Sequence, residues 1–137
     1  MVRTYPDACV LIAAYRGQPE LQQRAMDILD DPNRRFFVSD FLRLEVLPKP
    51  TYRQDNEEVA FMKTVLDAAE HISVSDRLTA RALELAETYG LTALDALHIG
   101  SALEAGVDEF VTLEKRKRAM FRITGLPLRV TSLLTDP

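Results

Sequence analysis

The feature that most constrains this chain is a repeated change of period. Short runs of bulky, β-prone residues alternate with stretches in which apolar side chains recur every three or four positions. Arg3-Thr4-Tyr5 reads as a first strand, with Pro6 at its end where no ladder donor is needed. Arg35-Phe36-Phe37-Val38, His71-Ile72-Ser73-Val74 and Glu109 to Thr112 read as three more. Pro127-Leu128-Arg129-Val130 reads as a short fifth strand at an edge.

The segments between them are helical. Val10 to Tyr15 is apolar and is stopped by Gly17 to Pro19. Pro19 then starts a helix to Leu29, with Leu21, Ala25, Ile28 and Leu29 on one face. Ser39 or Asp40 caps a helix that ends before Pro48. Pro48-Lys49-Pro50 reads as a stiff break, followed by a polar, exposed connection to about Asn56. Further helices carry Val59, Met62, Val65 and Leu66, then Leu78, Ala82 and Leu85 up to the stop at Gly90, then the stretch from Thr92 to Ala105 closed by Gly106. Strands alternating with helices predict an α/β fold, a three-layer α/β/α domain around a mainly parallel sheet of four to five strands.

A chain of 137 residues is long enough to bury a core and has the length of one domain, spanning residues 1–137. The formal net charge of -4 gives no global basic signal for nucleic acid, but Lys115-Arg116-Lys117-Arg118 forms a local basic run. The single cysteine, Cys9, rules out an internal disulfide framework and fits a reducing compartment. Cys9 follows the first strand inside an apolar run and reads as buried rather than nucleophilic. With two histidines and one cysteine, a structural zinc site is not indicated. No apolar run approaches the roughly 20 residues that cross a bilayer. The expectation is a soluble, cytoplasmic protein without a membrane partner.

In open parallel sheets, sites gather beyond the carboxyl ends of the strands. Asp7 and Glu114 stand just past two such ends, and Glu45 lies in the helix that follows another. Asp95 lies three residues after Thr92, in the first turn of its helix. Each has a local explanation: Asp7 as a helix cap, Asp95 as a first-turn acid favoured by the helix dipole, Glu114 as an ordinary strand-end residue. Glu45 is harder to explain locally, because Leu42, Leu44, Val46 and Leu47 surround it. Four converging carboxylates repel one another and call for a counter-charge, for which an oxygen-loving divalent cation is suited. His98, one turn after Asp95, reads as a buried and satisfied histidine. Lys49, Tyr52 and Arg53 read as an exposed loop with a second surface on which a nucleic acid can lie.

Four segments, in order, resemble the motifs of PIN domains. They are Tyr5-Pro6-Asp7-Ala8-Cys9-Val10-Leu11-Ile12; Val38-Ser39-Asp40-Phe41-Leu42-Arg43-Leu44-Glu45-Val46; Gly90-Leu91-Thr92-Ala93-Leu94-Asp95-Ala96-Leu97-His98-Ile99; and the stretch from Gly106 through Phe110-Val111-Thr112-Leu113-Glu114. The resemblance covers nearly the whole chain. It implies a ribonuclease that uses Mg²⁺ or Mn²⁺, in many cases the toxin of a toxin–antitoxin pair. By position it makes Asp7, Glu45, Asp95 and Glu114 the catalytic and metal-binding residues, and RNA the substrate. Lys115, Arg116, Lys117 and Arg118 then hold the substrate strand. An antitoxin protein and a second copy in a homodimer are the partners it implies. Two departures define the second reading, a module of the same fold that binds RNA without cutting it. Ala8 and Cys9 supply no hydroxyl or amide beside Asp7, and a basic run follows Glu114, whose Lys115 can set an ammonium among the carboxylates. A phosphotransfer domain with Asp7 as nucleophile ranks third, because Cys9 stands where a second acid is needed.

Overall fold

The computed structural model describes residues 1–135. Five strands, β1 (Val2–Pro6), β2 (Arg34–Ser39), β3 (Glu70–Ile72), β4 (Glu109–Thr112) and β5 (Arg129–Ser132), form one sheet in the order β3-β2-β1-β4-β5. All four pairings are parallel, with Thr4 beside Phe36, Tyr5 beside Phe110, Val38 beside His71 and Phe110 beside Val130. The expectation of a mainly parallel sheet is met in full.

Strand side chains alternate between faces, and successive residues enter different cores. Tyr5, Phe37, Ile72 and Phe110 pack with helices α6 (Asp76–Tyr89) and α7 (Ala93–Glu104) through Leu78, Ala82, Leu85, Ile99 and Ala102. Val38 and Val111, the next residues along their strands, pack on the opposite side. Their neighbours come from α1 (Ala8–Arg16), α2 (Pro19–Leu29), α3 (Asp40–Val46) and α5 (Asn56–Asp67). The result is a three-layer α/β/α arrangement with both faces of the sheet covered, as a parallel sheet requires.

Helix boundaries follow local chemistry. The side chains of Ser39, Asp55, Ser75 and Thr92 accept N–H bonds at the starts of α3, α5, α6 and α7. Gly90 ends α6 in the left-handed region at φ 70°, which a residue with a Cβ reaches only at a cost. Three short segments differ from the sequence reading. Pro48-Lys49-Pro50 is not a break but opens a short helix, α4 (Pro48–Tyr52), because proline's fixed φ suits a first turn whose N–H groups have no helical partner anyway. The third strand ends at Ile72 rather than Val74, since its partner β2 runs out at Ser39, the residue opposite Ile72. The fifth begins at Arg129, where the ladder with Glu109 starts; Leu128 N–H instead turns back to the Leu126 carbonyl. It does lie at an edge. No helix of the described residues is long and apolar enough to cross a membrane.

Candidate active site at the carboxyl edge of the sheet

From β1 the chain moves outward through β2 and β3 on one side, while β4 and β5 lie on the other. The crevice beyond the carboxyl ends of β1 and β4 is therefore the switch point of the sheet, where connections leave in opposite directions and a site can open. Asp7 emerges there. Its backbone N–H extends the β1–β4 ladder to the Val111 carbonyl at 2.8 Å. Its side chain is buried. One carboxylate oxygen accepts the Ala8 N–H at 2.9 Å, and the other accepts the Thr112 hydroxyl at 2.8 Å. Capping, one of the two readings the sequence left open, is met by this carboxylate, which also lies in the crevice. Burial pushes its carboxyl above the usual aspartate range, partly offset by attraction to His98 and by the Thr112 and Ala8 bonds.

Glu45 arrives from α3, and its carboxylate meets His98 Nε2. On the other side of that ring, Nδ1 is 2.5 Å from the Tyr5 hydroxyl, which in turn is 2.6 Å from Ser39 Oγ. Thus β1, β2, α3 and α7 are tied by one chain of polar contacts, Ser39–Tyr5–His98–Glu45, and His98 is buried and satisfied as expected. Its surroundings go further than that expectation. Ligand atoms of Asp7, Glu45 and His98 lie within 4.8 Å of one another, so a histidine joins two of the four expected acids.

The other two acids are linked through an arginine rather than to this group. Asp95 and His98 are one turn apart on α7 and therefore share a face. Glu114 follows β4, its N–H accepted by Thr112 Oγ1 at 3.1 Å. Between Asp95 and Glu114 stands Arg118, at 3.9 Å from the first and 3.6 Å from the second. The intrachain cation among the carboxylates is thus Arg118 rather than Lys115. A turn closed by Arg118 N–H to the Lys115 carbonyl, 3.0 Å, carries Arg118 back toward Glu114. The basic run is divided in use. Arg116 bonds the Leu134 and Ser132 carbonyls, whereas Lys115 and Lys117 are exposed and form no ion pair among the described residues.

The family model of the PIN domain matches residues 4–122. The chain belongs to the PIN domain family. No curated protein sequence matches it. Several solved structures share the fold of this PIN domain. A toxin–antitoxin complex from Klebsiella pneumoniae contains a chain 20% identical, with TM-score 0.69, covering 94% of this chain and 96% of that one. VapBC2 from Rickettsia felis, bound to a DNA fragment from their promoter, gives 16% identity and TM-score 0.70 over 96% and 100% of the two chains. DNA-bound VapBC from Salmonella typhimurium gives 14% and 0.64 over 95% and 98%.

Besides a weak bond from the Cys9 thiol at 3.6 Å, Asp7 draws its hydroxyl support in this PIN domain from another strand, through Thr112. Nothing in the β1 segment announces it; the parallel register of β1 and β4 puts it there. Cys9 packs behind the pair, its sulfur 3.5 Å from Thr112 Oγ1 and accepting the Leu113 N–H at 3.2 Å. Burial and the Asp7 charge push its thiol up to about 12, so it stays protonated and is no nucleophile. A hollow of about 420 Å³ along α6, bordered by Arg81, Tyr89 and Leu126, includes none of the four carboxylates.

Proposed function

We propose that this PIN domain is a metal-dependent ribonuclease that hydrolyses RNA phosphodiester bonds and acts as the toxin of a toxin–antitoxin pair. The observation that carries the reading is the meeting of Asp7, Glu45 and His98 at the switch point of a PIN-type sheet. The two carboxylates suit Mg²⁺ or Mn²⁺, which prefer oxygen donors, while both nitrogens of the imidazole are engaged by Glu45 and Tyr5. Asp7 and Glu45 are the residues that would hold the ion, with Asp95 and Glu114 completing the acidic set from the α7 and β4 side. A divalent cation held there acidifies a water and offsets charge on the phosphate under attack. Thr112 fixes the Asp7 carboxylate, and His98, itself held by Tyr5, fixes Glu45. Both acids are thereby preorganised by hydrogen bonds from outside the ligand set. Lys115, Lys117 and Arg118 receive the RNA backbone. An antitoxin partner follows from family membership and the toxin–antitoxin complexes among the structural neighbours, while a homodimer and a cytoplasmic site of action follow from the family alone.

One observation favours the second reading, a non-cleaving RNA-binding module: Arg118 already gives Asp95 and Glu114 a counter-charge. Manganese calorimetry combined with cleavage of a labelled single-stranded RNA separates the two. The ribonuclease reading expects heat on titration, Mn²⁺-dependent cleavage, and loss of both in Glu45→Gln. Absence of heat and of cleavage, with RNA still bound, overturns it in favour of the binder.

A further inference from the structure

Glu45 also forms one wall of a separate hollow of about 160 Å³, whose other walls include Ile12, Arg16, Lys49, Arg53 and Glu58. Three cations come to it from two parts of the chain, the end of α1 and the α4 turn. The two arginines among them are paired with Glu58, a residue of α5 that is 3% exposed. A buried carboxylate is costly unless opposite charges satisfy it. Glu58 is satisfied twice, by Arg16 and by Arg53 Nη2 at 3.6 Å, while Asp55 adds a contact to Arg16 at 3.7 Å.

Both guanidinium side chains remain 46% exposed. Each has five N–H donors, more than the contacts to Glu58 and, for Arg16, to Asp55 engage, and both residues line the hollow. Lys49 forms no ion pair among the described residues and stands on the same rim. The Glu45 carboxylate, which also lines the hollow, is already engaged by His98. A hollow bordered by two fixed arginines and a lysine suits an anion, and planar guanidinium groups match phosphate oxygens in pairs. The volume admits a phosphate and excludes much more. Tyr52, between Lys49 and Arg53 in sequence and 89% exposed, offers a ring on which a neighbouring base can stack.

We infer that Arg16, Lys49 and Arg53 form a subsite for a backbone phosphate of the single-stranded RNA adjacent to the one cleaved. Glu58 acts as the positioning residue that holds the two arginines. The inference rests on the ribonuclease reading and extends it, since the Lys115–Arg118 run then supports a different stretch of the same strand.

The test is fluorescence anisotropy of a labelled single-stranded oligoribonucleotide with EDTA present, so that nothing is cut, across a salt series. Lys49→Ala and Arg53→Ala are each expected to raise Kd about fivefold and to reduce the log–log salt slope by roughly 0.7, the share of one phosphate contact on a single strand. With Mn²⁺, Glu58→Gln is expected to raise KM more than it lowers kcat, because the arginines lose their holder; Arg77→Ala on α6 changes nothing. Should Glu58→Gln fail to fold, Lys49→Ala still decides, as Lys49 supports no ion pair. Parent-like affinity and slope in both Lys49→Ala and Arg53→Ala overturn the subsite. So does a polyglutamate peptide that outcompetes the oligonucleotide in the parent and loses its hold in these variants, since the hollow would then receive an acidic protein segment. A parent that neither binds nor cuts RNA overturns the ribonuclease reading itself, and the subsite with it.

Discussion

Replacing Asp7 by Asn is expected to abolish metal-dependent cleavage and, in metal-free buffer at neutral pH, to make the protein more stable. The Asp7 carboxylate is buried, and one of its oxygens belongs to a set in which the Glu45 ligand atom lies no more than 4.8 Å away. At an effective dielectric of 20, two like charges at that distance repel by about 3.5 kcal/mol. The His98 ring and the Thr112 and Ala8 donors offset most of this. Asparagine keeps an oxygen for the Ala8 N–H and turns an N–H₂ toward Thr112 Oγ1, at the cost of the weak bond that Asp7 accepts from the Cys9 thiol. The net gain is on the order of 1 kcal/mol, a rise in Tm of about 3–5 °C for a chain of this size. The pH dependence fixes the cause. Burial raises the folded Asp7 carboxyl above its ordinary value, so the folded state binds this proton more readily than the unfolded chain. The parent is therefore favoured at low pH and loses that advantage as pH rises through the raised folded value. The gap between variant and parent, measured by thermal melts with EDTA, should be widest at pH 7 and narrow toward pH 4. Adding Mn²⁺ should reverse the order, because only the parent gains stability from the ion, by about 2.7 kcal/mol at a hundred times its Kd. A variant no more stable than the parent at pH 7, or a gap that does not change with pH, refutes the argument from burial and repulsion.

Two further predictions rest on ion pairs. Arg118→Gln removes the cation that Asp95 and Glu114 share; partly exposed pairs at these distances contribute about 0.2–1 kcal/mol each, so Mn²⁺ should bind roughly three- to tenfold more tightly in calorimetry, and unchanged affinity would show that these two acids stand apart from the metal site. Glu109, buried at the start of β4, is opposed by burial but held ionised by Thr131, Arg34 and Arg129, so its carboxyl lies below the ordinary glutamate range. Its contribution is complete above the unfolded value near ~4.3 and is lost as pH falls through the folded one. Glu109→Ala should cost roughly 3 kcal/mol in urea melts at pH 7, with the deficit shrinking below pH 4, and a pH-independent deficit would count against the ion-pair account.

How much of this was legible in the sequence depends on the range of the forces involved. Strand and helix identity is written locally: Phe36-Phe37-Val38 is β-prone wherever it sits, and Ser39, Ser75, Thr92 and Gly90 mark helix ends by bonds within their own turns. Motif order then places Asp7 and Glu45 near the switch point, and the fold brings them together. What stayed hidden is set by register and side-chain reach. Pro48 and Pro50 look like breakers because proline disfavours helix interiors, but in a helix of five residues they occupy the first turn, where that objection lapses. Thr112 supports Asp7 only because β1 and β4 are parallel neighbours, a pairing between residues 105 positions apart. The choice of Arg118 over Lys115 as counter-cation depends on a turn at 115–118 that returns the chain toward Glu114, and adjacent basic residues give no sequence cue to which one returns.

His98 shows why the same side chain can be read two ways without contradiction. A buried histidine must bond both ring nitrogens or bear the cost of desolvation. Tyr5 and Glu45 meet that demand, which makes His98 a structural residue by any criterion of packing. The same two bonds fix where the Glu45 carboxylate points, and a nitrogen of the ring lies within 4.8 Å of an Asp7 carboxylate oxygen. Satisfying the buried ring therefore also fixes one acid of the candidate site, so packing and site geometry share one residue. Sequence reasoning that weighs burial against function as rivals will miss such positions, because here the partner that satisfies the ring is itself one of the acids.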